Sequence, residues 1–369
     1  TTNGSGTLSF ATIASGPTHK EGGTNFTDSI MIGDNATGTL SSATKNTALG
    51  VNVFASLTSG TNNVAIGYDA LTANTTGGSN TSVGYKSLDA NTTGASNTSV
   101  GKSAMGNATE GDSNTGIGAG ALGALTTGSY NTAVGQSAGG GTTASYNTSV
   151  GYAALTANTT GTENNAFGVG ALDTNTTGNE NNAVGRGALH SNTTADGNNA
   201  FGDDALSLNV TGTGQTAFGH RALQYSTATD NTAMGHLAGD AATSAAGITV
   251  VGKSAGSAIT TGGDNTGIGK QALKLTTTGT GNTAVGKDAL EANTTASDNT
   301  AVGFKSLEAN TTGAGNTAIG AYAGDANTTG TALTALGYGA LGAHTTGDSN
   351  AAIGYLAGRD VTTGSDNFF

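Results

Sequence analysis

A 17-residue period runs through most of the chain and limits the folds that are open to it. The run NTAVG at 282–286 recurs one period later at 299–303. We call the glycine that closes each such run the anchor glycine. Twenty anchor glycines lie between positions 33 and 354, spaced by 17 residues except for two spacings of 16. A short, fixed period indicates one structural unit stacked on itself.

Several positions of the repeat keep one residue type. The residue before the anchor is apolar in every repeat, and the one before that is usually small. Asn lies four residues before the anchor in most repeats, and Thr lies eight residues after it in 18 of 20. We expect three kinds of position to form structural ladders between neighbouring repeats: asparagines (Asn63, Asn80, Asn97), threonines (Thr75, Thr92) and anchors (Gly67, Gly84, Gly101).

The period predicts an all-β fold. Helical repeats need two helices and more than about 30 residues, and Gly, Asn and Thr, which dominate here, are poor helix formers. We predict a β-solenoid or β-roll of about 20 coils, one per repeat, with two brief strands in each coil. Equivalent residues then stack about 4.8 Å apart. Asn side chains can link their amides from coil to coil.

Composition narrows the range of partners. The chain has 369 residues, 63 of them Gly, with one Pro and no Cys. Its net charge of −12 argues against a nucleic-acid partner. No apolar run approaches the roughly 18 residues of a membrane span, so we expect none. We also expect no cofactor.

The strand pattern favours a homotrimer. Each coil supplies little apolar surface, and a small residue sits next to the apolar one on the strand. Because neighbours on a strand face opposite ways, both faces are expected to be closely approached, one by a core of Val and Ile and one by backbone. Three chains around a common axis would satisfy this. A single-chain solenoid stays open as the alternative.

The repeat resembles two known types. The run NTAIGAYAGDA at 316–326 is similar to the head repeats of trimeric autotransporter adhesins, which form a left-handed trimeric β-roll. The longer form, NTAVGxxALxxNTTG, resembles repeats of bacteriophage tail fibres, which often precede a self-cleaving chaperone domain. The resemblance covers about residues 30–367. The coils here are longer than in the adhesins, and no coiled-coil stalk or membrane anchor is visible, which favours the fibre.

We divide the chain into three parts. Residues 1–29 do not hold the period and are expected to form a lead-in or cap, with a strand around Leu8, Phe10 and Ile13. Residues 30–367 form the solenoid shaft, and residues 368–369 begin a further coil. Because there is no initial Met and the last coil is incomplete, we expect the chain to be a segment of a longer polypeptide.

The sequence offers no catalytic constellation, so we expect no enzyme. His220 and His236 each follow an anchor in successive coils and should stack; they are weak metal-ligand candidates, since neither has a carboxylate at fixed spacing. Glu163 and Glu180 share a position and form a like-charge column that could hold a cation. Asp203 and Asp204 would point to opposite faces if they lay on a strand. Lys274, Glu291 and Glu308 share the position five residues after the anchor and are expected to form a surface ion pair.

Tyrosines are better candidates for ligand contact. Tyr68 and Tyr85 follow successive anchors, as do Tyr338 and Tyr355. Exposed aromatic rings can stack against sugar rings or a partner protein. The Asn-x-Thr sequons follow from the repeat itself and predict no sugar in a bacterial or viral setting.

These observations predict a structural and adhesive fibre segment, an extracellular or virion tail fibre used for host attachment, with a glycan or protein receptor. One alternative is a bacterial cell-surface adhesin or extracellular filament subunit. Two lesser alternatives are an ice-binding solenoid, prompted by the Thr positions, and a polysaccharide depolymerase. Adjacent threonines such as Thr75 and Thr76 point opposite ways on a strand, which argues against ice binding.

Overall fold

The computed structural model describes residues 18–23, 26–33 and 39–369. The chain divides into two compact units, Thr1–Asn147 and Thr148–Phe369. Each unit is a parallel β-solenoid in which one coil corresponds to one 17-residue repeat. The predicted all-β class is confirmed, and the described ranges contain no helix.

In the first unit the strands are β1 (Thr18–Gly23), β2 (Phe26–Gly33), β3 (Thr47–Leu49), β4 (Val64–Ile66), β5 (Thr81–Val83), β6 (Thr98–Val100), β7 (Thr115–Ile117) and β8 (Thr132–Val134). In the second unit they are β9 (Thr148–Val150), β10 (Asn165–Phe167), β11 (Asn182–Val184), β12 (Asn199–Phe201), β13 (Thr216–Phe218), β14 (Thr232–Met234), β15 (Thr249–Val251), β16 (Thr266–Ile268), β17 (Thr283–Val285), β18 (Thr300–Val302), β19 (Thr317–Ile319), β20 (Thr334–Leu336) and β21 (Ala351–Ile353).

Within each unit the solenoid strands pair in parallel with no register offset. Ala284 of β17 lies opposite Ala301 of β18, its equivalent one repeat later. The 16-residue spacing between anchors keeps this alignment, since Thr216 still pairs with Thr232. The missing residue is therefore absorbed outside the strands. The prediction that the chain winds once per repeat is confirmed.

From β3 onward each coil contains one three-residue strand, so the prediction of two strands per coil is wrong. The rest of the coil is a series of turns with non-glycine residues at positive φ, such as Lys86 (φ 51°), Leu88 (φ 51°) and Ser96 (φ 60°). These turns still bond to the next coil: the Leu88 N–H donates to the Ala104 carbonyl at 3.0 Å. Inter-coil hydrogen bonds offset the cost of the left-handed backbone.

The anchor glycine is required by both conformation and space. Gly84 has φ 138°, which L side chains rarely adopt. A Cβ at Gly84 would lie 2.5 Å from the carbonyl oxygen of Gly101, the next anchor. The strand therefore ends in a sharp turn that stacks backbone directly on backbone.

The core of most coils is made of small residues and Leu. Ala65, two residues before its anchor, is fully buried, as is Leu71, four residues after the anchor. The apolar residue before the anchor points outward, and Ile66 is 37% exposed. The expectation that the Val and Ile residues directly before the anchors line the coil interior is therefore wrong; interior residues of these types, such as Ile248 and Val250, lie at other positions of the repeat. Period-two alternation puts the central strand residue inside, where only Ala, Ser, Gly or a rare larger residue fits.

The strands nearest the two chain ends pair with the solenoid. β1 pairs with β2 in antiparallel fashion, and β2 pairs with β3 in parallel, so a hairpin leads into the first solenoid coil. The strand expected around Leu8, Phe10 and Ile13 lies outside the described residues. At the other end, Phe368 bridges Ala351 in parallel and thus continues the stack.

Candidate functional site

The predicted Asn ladder is an internal hydrogen-bond column. Asn80 donates its backbone N–H to Oδ1 of Asn63 at 2.8 Å, and its side-chain amide donates to the Gly94 carbonyl at 2.8 Å. Asn97 repeats the first bond to Asn80 at 2.9 Å. All three asparagines are buried. Their amides are used to hold turns together, so they are not open to a ligand.

A second Asn column was missed by the sequence reasoning. It lies seven residues after the anchor and is buried. Asn91 donates its side-chain amide to Oδ1 of Asn74 at 2.8 Å and to the Gly94 carbonyl at 3.0 Å. The recurring Asn-Thr-Thr-Gly run was the available signal, because an Asn three residues before Gly can cap a tight turn.

The Thr column also serves the fold. The Thr75 hydroxyl donates to the Thr92 carbonyl at 2.9 Å, and the Thr92 hydroxyl donates to the Thr109 carbonyl at 3.1 Å. Both residues are half-buried. These hydroxyls therefore already have partners within the chain.

The outward apolar residues form a continuous feature in each unit. We call the residues that directly precede the anchor glycines the apolar row. Within the second unit it includes Phe201, Phe218, Ile319 and Ile353, which are 38–56% exposed. The rings of Phe201 and Phe218 stack with centroids 5.8 Å apart. Apolar side chains that line up coil after coil make an exposed patch larger than isolated surface residues would.

The four candidate tyrosines form two stacked pairs. The centroids of Tyr68 and Tyr85 are 5.6 Å apart with an interplanar angle of 11°, and those of Tyr338 and Tyr355 are 5.6 Å apart at 17°. All four are exposed. Because each ring covers one face of its neighbour, the rims and hydroxyls are more accessible to a ligand than the inner faces.

His220 and His236 stack as expected, with centroids 5.2 Å apart. The carboxylate of Asp240 lies near the two imidazoles, which the sequence did not reveal. Burial raises the pKa of Asp240, and the charges of Arg221, His220 and His236 act in the opposite direction and lower it. Asp240 forms its ion pair with Arg221, at 3.6 Å. Neither imidazole belongs to a group of three close metal-ligating side chains in the described ranges.

The other acidic residues singled out in the sequence either form ion pairs or have no neighbouring metal-ligating side chains. Asp203 and Asp204 lie in a turn after β12 and not on a strand, and Arg186 contacts both, at 2.7 and 3.4 Å. Glu163 and Glu180 are exposed turn residues with positive φ, and they belong to no such ligand group among the residues that the structure describes.

The structure brings three carboxylates together at Asp288, Glu291 and Glu308, whose oxygens lie within 4.8 Å of one another. Each has a lysine partner: Lys287 at 3.3 Å, Lys274 at 2.9 Å and Lys305 at 2.9 Å respectively. The predicted pair between Lys274 and Glu291 is therefore confirmed. The lysines balance the carboxylate charges one for one, which is the arrangement of an ion-pair network.

Comparison with protein-family models and with curated proteins gives no match. In the part of the chain that the structure describes, no helix has the length and apolar character needed to cross a membrane. The surface features that remain for function are the apolar row, the exposed aromatic residues and the charged side chains beside the anchors.

Proposed function

We propose that the chain is a non-enzymatic, structural and adhesive fibre segment that assembles as a homotrimer through its apolar row. The observation that carries this proposal is the outward position of the row, in which an exposed or half-buried apolar side chain recurs on the outer face of successive coils. Within one chain these side chains have no core to enter. Packing them against two further copies would remove them from water at about 25 cal/mol per Å² of apolar area.

The type of fibre rests on the resemblance of the repeats. A bacteriophage tail fibre used for host attachment fits best, and a bacterial surface adhesin is the alternative. In both, three identical outer faces make weak receptor contacts add through avidity. The genes next to the coding sequence distinguish the two: tail genes support the fibre, and an outer-membrane anchor supports the adhesin.

The test is the native mass of the particle. Light scattering coupled to size exclusion should give three times the 35.4 kDa of one chain. Circular dichroism on the same fractions should show β structure without helix. A mass of one chain at micromolar concentration, with the same circular dichroism, would contradict trimerisation and leave the single-chain solenoid.

One observation favours a second candidate function, ice binding. The first and third residues of each strand share the outer face, so Thr300 and Val302 belong to parallel outward rows. Ice-binding solenoids usually present paired outward Thr rows on a flat face; here only one row is Thr, and β-branched residues often fill the other. A thermal hysteresis assay decides this candidate, and trimerisation through the same face would exclude it.

A further inference from the structure

The second unit carries an unusual run of basic residues. The residue directly after the anchor is basic in five successive coils, and we call this set the cationic column: His220, His236, Lys253, Lys270 and Lys287. All five side chains are exposed. The whole chain has only 12 Lys and Arg and a net charge of −12, so this row is a local reversal of the overall sign.

The solenoid geometry makes the column straight. Because the strands stack without offset, the five residues repeat at the coil spacing, which is about 4.8 Å and gives a length of about 19 Å. The 5.2 Å between the rings of His220 and His236 agrees with that spacing. The three lysine ammonium groups of the column carry like charges, and at this spacing they repel one another. A ligand whose anionic groups lie along the column would reduce this repulsion.

The chain itself neutralises only the ends of the column. Lys287 pairs with Asp288 at 3.3 Å, and the two imidazoles lie near Asp240. In the described ranges, Lys253 and Lys270 form no ion pair with a carboxylate. Burying two unpaired lysines in each of three chains would carry a large desolvation cost. The column must therefore stay open to solvent in the assembled particle, or meet an anionic partner.

Aromatic residues continue the column. Lys287 Nζ lies 5.2 Å from the centroid of the Phe304 ring. Phe304 contacts Tyr322, Tyr322 contacts Tyr338, and Tyr338 stacks on Tyr355, with centroids 5.3–5.8 Å apart. A ligand that runs along the cations thus reaches a row of phenol hydroxyls, which both donate and accept hydrogen bonds.

We propose that the cationic column and the aromatic row beyond it bind a linear polysaccharide that carries carboxylate or sulfate groups. This inference rests on the proposed attachment function and names its ligand class. A sugar chain supplies regularly spaced anions for the lysines and hydroxyls for the tyrosines.

Single-stranded nucleic acid fits less well. It needs a series of free aromatic faces for its bases, whereas here Tyr338 and Tyr355 stack on each other and the other neighbouring rings of the row meet edge to face. It also depends on many phosphate contacts for affinity at physiological salt, whereas the column offers three lysines.

The test uses the whole chain and three probes: alginate as a carboxylated polysaccharide, dextran as a neutral one, and a single-stranded oligonucleotide. Binding is measured by affinity electrophoresis and biolayer interferometry at 50 and 200 mM salt. We expect binding to alginate, none to dextran, and a loss of about tenfold in affinity over that salt range. Equal binding to dextran, or tighter binding to the oligonucleotide, would overturn the proposal.

Variants locate the site. Lys253→Gln with Lys270→Gln should weaken alginate binding about tenfold or more and reduce its salt dependence. The matched control, Lys86→Gln with Lys102→Gln, makes the same charge change in the first unit and should leave binding unchanged. Tyr338→Phe with Tyr355→Phe should weaken binding less and leave the salt dependence unaltered. Equal losses in the two lysine variants would contradict the assigned location.

The native mass separates the two proposals. A trimer that does not bind alginate contradicts only the ligand assignment. A single-chain particle that binds alginate contradicts only the trimer. A trimer that dissociates in salt, and loses this response when Lys253 and Lys270 are replaced, would show that the column meets acidic residues of another copy instead, which also overturns the polysaccharide proposal.

Discussion

The backbone N–H of Gln215 lies 3.0 Å from Oδ1 of Asn198, the bond that links each asparagine of the ladder to the one before it. Gln215 occupies the next ladder position but is one methylene longer than Asn. Both polar atoms of its side chain are buried without a hydrogen-bond partner. The side-chain hydrogen bonds of the ladder are therefore missing at this coil.

We expect Gln215→Asn to stabilise the second unit. Restoring the ladder geometry would satisfy buried polar atoms whose lack of partners costs about 1–3 kcal/mol. For a unit of this size each kcal/mol corresponds to a rise of about 2–4 °C in Tm. Differential scanning calorimetry measures the change. Asn97→Gln, which introduces the same fault into a complete ladder, should lower Tm; a rise in both variants would refute the explanation.

A second prediction concerns the anchor glycines. Gly202→Ala should cost more than about 3 kcal/mol, since the backbone has φ 144° and the new Cβ would lie 2.5 Å from the Gly219 carbonyl group. Gly197→Ala adds the same methyl group in a neighbouring turn, at φ 68° with no atom within 4 Å. It should cost only about 1–2 kcal/mol. Urea unfolding of both variants compares them, and similar costs would show that close stacking is not the cause.

A third prediction tests the apolar row. Phe201→Asp combined with Phe218→Asp should convert the trimer to single chains, because it places six charges in an interface built from apolar residues. The control, Thr194→Asp with Thr211→Asp, adds the same charges to exposed turns of the same coils. It should remain trimeric. Light scattering reports the mass and circular dichroism the fold; a trimer that survives the Phe substitutions would place the interface elsewhere.

A fourth prediction concerns pH. Burial, followed by the charge of Glu308, raises the pKa of Asp325, so its ionised form destabilises the native state above that pKa. This penalty disappears as pH falls through the folded-state pKa toward the ordinary value of 3.8. Asp325→Asn should therefore raise Tm at pH 7, and the gain should shrink on acidification.

Asp348 provides the contrasting case. Hydrogen bonds from the Thr331 N–H and hydroxyl, both 2.8 Å, lower its pKa. Its ionised form stabilises the native state above the ordinary value of 3.8, and this contribution is lost as pH falls through the folded-state pKa. Asp348→Asn should lower Tm at pH 7, with a deficit that fades in acid. Thermal scans from pH 7 to pH 3 would contradict this account if the two variants shifted in the same direction.

The period alone was enough to predict the register and the residue stacks that it produces. Once Ala284 lies above Ala301, the Asn ladder and the stacks of His220 on His236 and Tyr68 on Tyr85 are geometrical consequences. These predictions needed no knowledge of the coil's cross-section. They rest only on like residues recurring at equal intervals.

The path of the chain within one coil could not be predicted in the same way. Hydrophobicity favours Ile66 over Ala65 for the interior, yet Ala65 is buried and Ile66 is not. Leu71 and Leu88 are also buried in the interior and adopt positive φ, which residue preferences do not anticipate for Leu. The anchor turn fixes which face of the strand points inward, and that turn depends on tertiary stacking.

The strict pairing of each residue with its counterpart one repeat away also bears on how such a molecule can change length. Removing residues 286–302, or duplicating them, would leave every remaining coil with a neighbour of the same kind on each side. Recombination between near-identical repeats can therefore produce shorter or longer versions, each of which folds by the same rules. The number of coils can therefore change by whole coils without changing the side chains that any one coil presents to solvent.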